Sequence, residues 1–423
     1  MDNSGFKDSR PVGPKSAGKA SRQTRAQRTS PAQWLRAHLS RETSSGRFIP
    51  EMDGLRFVAI GMVILFHLSG YLTSRSNLHY TTPPQADWVG QIALVGFRGV
   101  ELFFVISGFI LALPFAAHHM QGTPRVKLSA YYFRRLTRLE PPYFVTVLLL
   151  FLLAVLIQGK TAADLYPHLG ASLLYVHSLV YGASSPVIGV AWSLEIEVQF
   201  YILVPLLTML FTIKNQRLRR SSLVALSLSL LAAQTLFLHS ARSSLSILGY
   251  LQFFLMGFLL ADIYLNYWHG VPARSLYWDA AALAGWPLLF VVLRVPGLTH
   301  WVFPFVILLL YCAAFRGVLS NYFFTQPWIT AVGGMCYSIY LIHYDVISLV
   351  GRFTRRISFG HLYWVHLLIQ LVLVGSAILV ICGLYFVMLE KPCMRRGWPR
   401  RLRAYLRRPF LTEKKLVESG AAD

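Results

Sequence analysis

Charge is scarce in this sequence. Only 14% of its 423 residues are Asp, Glu, Lys or Arg while 55% are hydrophobic, and a soluble domain carries about a quarter charged residues. A water-soluble globule of this length is thereby excluded. Cysteine is scarce too: Cys312, Cys336, Cys382 and Cys393 show no CxxC spacing, which argues against a disulfide framework or a thiolate-held metal, and no metal site is expected. The outward/inward alternation of a β-barrel is missing. So is an internal repeat, which weakens a secondary-transporter reading. No cleavable signal peptide is expected either, because the amino-terminal stretch is polar and the first apolar run starts near residue 57.

Long apolar runs are what the chain does have, among them "VTVLLLFLLAVLI" (145–157), "FVILLLYCAAF" (305–315) and "LLIQLVLVGSAILVICGLYFVML" (367–389). They predict an all-α, polytopic bundle of about ten transmembrane helices. The expected spans are 53–74, 92–114, 138–158, 192–213, 221–240, 245–265, 277–294, 299–316, 326–350 and 362–388. Acidic residues number 18 against 40 Lys and Arg, a formal charge of +22. Half of the basic residues lie in two polar tails, ten within 1–47 and ten within 391–423. That placement fits basic flanks held at a cytoplasmic, anionic lipid surface, and does not call for a nucleic-acid partner. The expected organisation is a disordered tail over 1–47, with a short surface helix at 32–39, a membrane domain over 48–390, and a basic tail over 391–423. Both termini are expected in the cytoplasm of a multi-pass protein of the inner (plasma) membrane. One loop breaks the positive-inside pattern: "RFTRRIS" (352–358) falls outside on this count. The loop 159–191 is expected to be re-entrant or interfacial on the outer side.

Ionisable groups within membrane spans are costly, about 2.5–3.5 kcal/mol each on insertion scales, so each one asks for a partner or a purpose. "DGLRFVAIGMVILFHLSGY" (53–71) holds two. Arg56 and His67 are eleven helical steps apart, which puts them on one face and roughly 16 Å apart along the axis. A desolvated imidazole stays neutral and able to accept a proton, as a general base for a hydroxyl must; a histidine merely bonded between helices fits the residues as well. In "AYYFRRLTRLEPPYF" (130–144), Arg135 and Arg138 are helix neighbours beside Arg134, before a Pro-Pro pair expected to break or kink the helix. Such arginines either grip phosphate oxygens or mark topology. In "RGVELFFVISGFIL" (98–111), Glu101 enters the second span, and Gly99 and Gly108 permit close helix approach. Glu195 and Glu197 in "AWSLEIEVQFYILVPLL" (191–207) cannot share a face, so one should be buried and the other turned to the outer water. In "YSIYLIHYDV" (337–346), Tyr337, Ser338, His343 and Asp345 are expected to approach the outer end of the ninth span.

In order and spacing, "DGLRFVAIGMVILFH", "GVELFFVISGFIL", "FRRLTRLEPPY", "WSLEIEVQFYILVPLL" and "YSIYLIH" resemble the acyltransferase 3 family of integral membrane O-acyltransferases, over roughly residues 50–390. The resemblance implies that His67 is the catalytic base, with Glu197 or Glu101 orienting its imidazole. It implies that Arg135 and Arg138, with Arg56, hold a cytoplasmic acyl-coenzyme A, acetyl-coenzyme A being the default donor. The implied acceptor is a hydroxyl of a carbohydrate or small glycoside, reached directly or through a separate extracytoplasmic partner, since a fused esterase-like domain is not expected. The competing reading is a proton-coupled transporter that uses the intramembrane His and Glu residues.

Overall fold

The computed structural model describes residues 48–395 and 397–399. The expectations for residues 1–47, including the helix at 32–39, and for the carboxyl-terminal tail beyond 399 lie outside these residues. Among the described residues there is no β-strand. The principal helices are α1 (Pro50–Arg75), α2 (Trp88–Leu94), α3 (Gly99–Gln121), α4 (Leu128–Leu156), α5 (Ala162–Leu173), α6 (His177–Tyr181), α7 (Trp192–Leu207) and α8 (Gln216–Leu236). They continue as α9 (Leu251–Asp262), α10 (Leu276–Val292), α11 (Pro296–Arg316), α12 (Val318–Phe324), α13 (Pro327–Gly334), α14 (Cys336–Thr354) and α15 (Tyr363–Tyr385). The protein is a polytopic helical membrane protein.

Helix occupies all ten expected spans, though not with equal apolarity. Six stretches are long and apolar enough to cross a bilayer by length and composition, namely Pro50–Arg75, Trp88–Gln121, Leu128–Leu156, Gly189–Thr212, Thr299–Arg316 and Tyr363–Met394. Leu251–Tyr267 and Leu276–Val292 are shorter apolar helices. α8 opens on basic residues, and buried Arg219 and neighbouring Arg220 both grip the buried carboxylate of Asp262 at the end of α9. That arrangement neutralises a charge that would otherwise be prohibitive in an apolar bundle.

The core forms where α1, α3, α7, α9, α11 and α14 meet, filled by Phe104, Phe109, Phe200, Phe254 and Phe258. α3 and α9 pack backbone to backbone. A Cβ on Gly108 would strike the Phe254 carbonyl, and one on Gly99 would strike the carbonyl of Ala59 in α1. Both glycines therefore serve the close approach expected of them.

The Pro-Pro pair does not end a helix. α4 runs without a break from Leu128 to Leu156 through Pro141 and Pro142. A proline at 141 leaves the Thr137 carbonyl without its helical donor, and the Trp398 indole Nε1 supplies one at 2.9 Å. The Tyr337 hydroxyl donates to the Leu139 carbonyl at 2.8 Å and the Tyr385 hydroxyl to the Pro142 carbonyl at 2.6 Å. The Trp398 indole thus replaces the donor that Pro141 removes, the two tyrosines tie α4 to the bundle around the proline pair, and the arginine segment becomes the first half of a continuous helix.

Segment 162–191 folds back into the bundle. The Tyr143 hydroxyl donates to the Ser172 carbonyl at 2.9 Å, and its ring stacks on Tyr175 at 4.5 Å. The Tyr175 hydroxyl reaches Glu140 at 3.1 Å. Since α5 starts beyond the end of α4 and Tyr143 lies near its middle, α5 and α6 are re-entrant. Glu195 anchors them by accepting from the Ser178 amide at 2.8 Å.

Candidate functional site

Two cavities divide the interior along α1 and α14. The first, about 110 Å³, is lined by Arg56, Arg135, Arg138, Glu197, Tyr340 and Glu390 among others. It adjoins a wider cleft of about 490 Å³ that shares Arg56, Arg135 and Arg138 and also exposes Arg134. Phe48 and Ile49 line that cleft, and Trp398 binds α4 one residue before Arg138. Both ends of the described chain therefore lie at the arginine end of the bundle. The second cavity, about 510 Å³, lies at the other end of α1 and is lined by His67, Tyr71, Tyr344, Asp345, Arg352 and Arg355 among others.

At the arginine end every cation has a local reason for its position. Arg56 is buried and its guanidinium is held by Asp53, one turn earlier on α1. Arg135 stacks near two rings, 5.9 Å from Tyr131 and 5.8 Å from Tyr201. The Nε atoms of Arg135 and Arg138 are buried and have no hydrogen-bond partner among the described residues. A buried donor without an acceptor costs about 1–3 kcal/mol, so these groups are poised for a ligand's oxygens. Glu197 accepts from the Ser107 hydroxyl at 2.7 Å, which fixes its carboxylate toward the same cavity.

Glu390 was not singled out by sequence reasoning. A π-helical turn, Phe386–Glu390, carries it past the end of α15. It caps the start of α14, accepting from the Ser338 amide at 3.0 Å and the Ser338 hydroxyl at 2.5 Å. The signal was an acidic residue directly after the last apolar run.

At the other end, the His67 ring touches Phe66 at 5.1 Å, His343 at 5.1 Å and Tyr344 at 5.3 Å between centroids. His343 is fully buried, and its Nδ1 lies 3.0 Å from the carbonyls of Ile339 and Tyr340. That contact makes Nδ1 the protonated nitrogen and leaves Nε2 a free acceptor, and Nε2 has no partner among the described residues. Residues 336, 337 and 340 of α14 face the arginine cavity while 344, 345 and 348 face the His67 cavity. His343 fills the turn between them.

Several expectations need correction. Arg56 and His67 share α1 but not a chamber: the two cavities have no lining residue in common, because Tyr340 and His343 occupy the space between. Neither Glu101 nor Glu197 is hydrogen-bonded to His67. Glu101 is committed to Arg98 at 2.7 Å and lines neither cavity, and Glu197 lies on the arginine side. One of Glu195 and Glu197 was expected to face the outer water, and neither does: Glu195 is buried beneath the re-entrant segment and Glu197 faces the arginine cavity. Tyr337 and Ser338 start α14 at the arginine end, so only His343 and Asp345 approach the other one. Conversely, Arg352 and Arg355 from the loop that broke the charge pattern do lie at the end opposite the arginine cleft.

A family model described as Acyltransferase domain matches residues 49–387. The chain belongs to the acyltransferase 3 family. All of the residues described above except Phe48, Glu390 and Trp398 fall within the matched part. Among curated relatives of this acyltransferase, a provisionally named O-acetyltransferase of Staphylococcus aureus (strain COL) is 26% identical over 333 residues, covering 72% of this chain and 51% of the relative. Peptidoglycan O-acetyltransferase OatA of Listeria monocytogenes is 29% identical over 197 residues, 44% of this chain and 28% of the relative. O-acetyltransferase OatA of Staphylococcus aureus (strain NCTC 8325 / PS 47) is 23% identical over 339 residues, 73% of this chain and 52% of the relative. The acyltransferase spans about half the length of the first of these relatives. No solved structure matches it. Membership of the family gives the chain an acyltransferase domain over residues 49–387.

Proposed function

We propose that this acyltransferase moves an acyl group, acetyl by default, from acyl-coenzyme A on the cytoplasmic side to a hydroxyl of a carbohydrate or glycoside on the far side of the membrane. One observation carries the reading: three guanidinium groups from two distant segments, Arg56, Arg135 and Arg138, line one cavity, and two of them hold unpartnered buried donors. Arginine forks match the oxygens of a phosphate better than a point charge does. In this reading the donor's phosphates dock in the arginine cleft, and its thioester arm enters beside Glu197 and Tyr340. The positively charged end is cytoplasmic by the positive-inside rule.

His67 is the proposed base. It takes the proton of the acceptor hydroxyl, the oxygen attacks the thioester carbonyl, the carbon–sulfur bond breaks, and the imidazolium returns its proton to the departing thiolate. With no carboxylate bonded to His67, the neighbour able to steady its ring is His343, whose free Nε2 and fixed tautomer suit a hydrogen bond to a protonated imidazole. The turn from Tyr340 to His343 must yield for thioester and hydroxyl to meet, so donor binding is proposed to displace it.

His67→Ala tests the proposal. The variant should reach the membrane in normal amount and lose transfer of labelled acetyl from acetyl-coenzyme A to cell-surface glycans, followed as a 42 Da mass difference. Normal transfer by the variant removes His67 from the reaction.

A further inference from the structure

The cavity that holds His67 has an unexpected charge. Arg75, from the last turn of α1, lines it with Arg352 and Arg355 of α14 and its following turn, against one carboxylate, Asp345. None of the three arginines has a carboxylate within 4.0 Å among the described residues. Surface arginines commonly find such partners; here three converge on one concave wall and are left with their charge directed at whatever enters. They also run against the rule that keeps basic residues from the outer side of a membrane protein, a cost that is met without any compensating ion pair.

The rest of the wall suits a sugar. Tyr71 and Tyr344 present rings with polar tips, and Gly351 makes room for the first, since a Cβ there would strike the Tyr71 ring. Ser74, Gln158 and Ser348 add uncharged hydrogen-bonding groups. His67 is reached from this same cavity. A ligand seated here therefore meets a base, two aromatic faces, polar amide and hydroxyl groups, and a positive rim that concentrates anions.

We infer that the acceptor is an anionic saccharide, whose carboxylate or phosphate is held by Arg352, Arg355 and Arg75 while its hydroxyl is presented to His67. The inference rests on the acyl-transfer reading for the hydroxyl's fate, but the binding of an anionic sugar does not depend on turnover. Carboxylate and phosphate share the recognition chemistry, a planar fork donating two hydrogen bonds to two oxygens.

The test uses the purified full chain in lipid nanodiscs with three probes: methyl glucoside, methyl glucuronide and glucose 6-phosphate. Affinity for each is measured by thermophoresis at low and high salt, alongside release of coenzyme A from acetyl-coenzyme A. The wild type should bind at least one anionic sugar roughly tenfold or more above the neutral one, the size of one charge-assisted contact, with the gap shrinking as salt rises. The doubly substituted Arg352→Gln/Arg355→Gln chain should lose the preference, and Arg352→Lys/Arg355→Lys should keep part of it, which separates lost charge from lost fold. The two anionic arms tell a uronate-type from a phosphate-type acceptor. Equal binding of neutral and anionic sugars by the wild type, including binding of none, overturns the inference, as does a preference unchanged in the glutamine variant. Anion preference without any release of coenzyme A leaves the pocket standing and removes the acyl-transfer reading; release that depends on His67 without anion preference does the reverse.

Discussion

Replacing Arg138 with alanine removes one of the two guanidinium groups with an unpartnered buried Nε. A hydrogen bond from a charged group to a phosphate oxygen contributes about 1.5–3 kcal/mol, and each 1.4 kcal/mol is tenfold in affinity. The variant should therefore raise KM for acetyl-coenzyme A roughly 10- to 100-fold and change kcat little, because the lost contact lies in the arginine cavity and not beside His67. Arg135→Ala should behave alike. The double variant should fall short of the product of the singles, since Arg135 and Arg138 are neighbours on one helix face and each loses a repulsive partner when the other goes. The decisive assay compares acetyl-coenzyme A with acetyl-pantetheine, which carries the same thioester arm without phosphates. Wild-type protein should prefer the former strongly and Arg135→Ala/Arg138→Ala should barely distinguish them. If the double variant loses activity on both donors equally, the arginines do not read phosphate and the assignment of the cleft fails.

Three further outcomes follow from the packing. Trp398→Phe deletes the indole donor at the Thr137 carbonyl, so it should cost about 1 kcal/mol in a detergent unfolding curve and loosen α4, read as faster cleavage by added protease between 128 and 140. Gly108→Val places a branched side chain against the Phe254 carbonyl and should destabilise the bundle by about 1–3 kcal/mol or more, seen as a lower unfolding temperature than Gly61→Val, where nothing crowds the Cβ. His343→Phe keeps the ring and removes its free nitrogen; kcat should drop at least tenfold with donor KM preserved, whereas undiminished turnover would show that the imidazole only fills space.

The apolar runs made the helical architecture legible, since a span must be apolar and its period is fixed. The grouping of Arg56 with Arg135, Arg138 and Glu197 was legible only as separate motifs, and it took the fold to put them around one cavity. What stayed hidden was mostly tertiary. Pro141 and Pro142 signalled a break, but Trp398, far along the chain, supplies the donor that Pro141 removes. Glu195 and Glu197 were correctly set on different faces and a re-entrant or interfacial segment was expected over 159–191, yet that this segment covers Glu195 shows only in the fold. Glu101 looked like a neighbour for His67 by family position, while its own Arg98, three residues earlier, claims it. The Asp53–Arg56 pair, three residues apart on one helix, was within reach of the helix-neighbour rule.

The buried turn of α14 at Tyr340 and His343 has a consequence for leakage. A thioester is energy-rich, and an open passage between the two aqueous compartments would let it hydrolyse and let protons run down their gradient. With buried His343 lying between two cavities that share no lining residue, an idle enzyme should dissipate neither its donor nor the potential across the membrane it occupies.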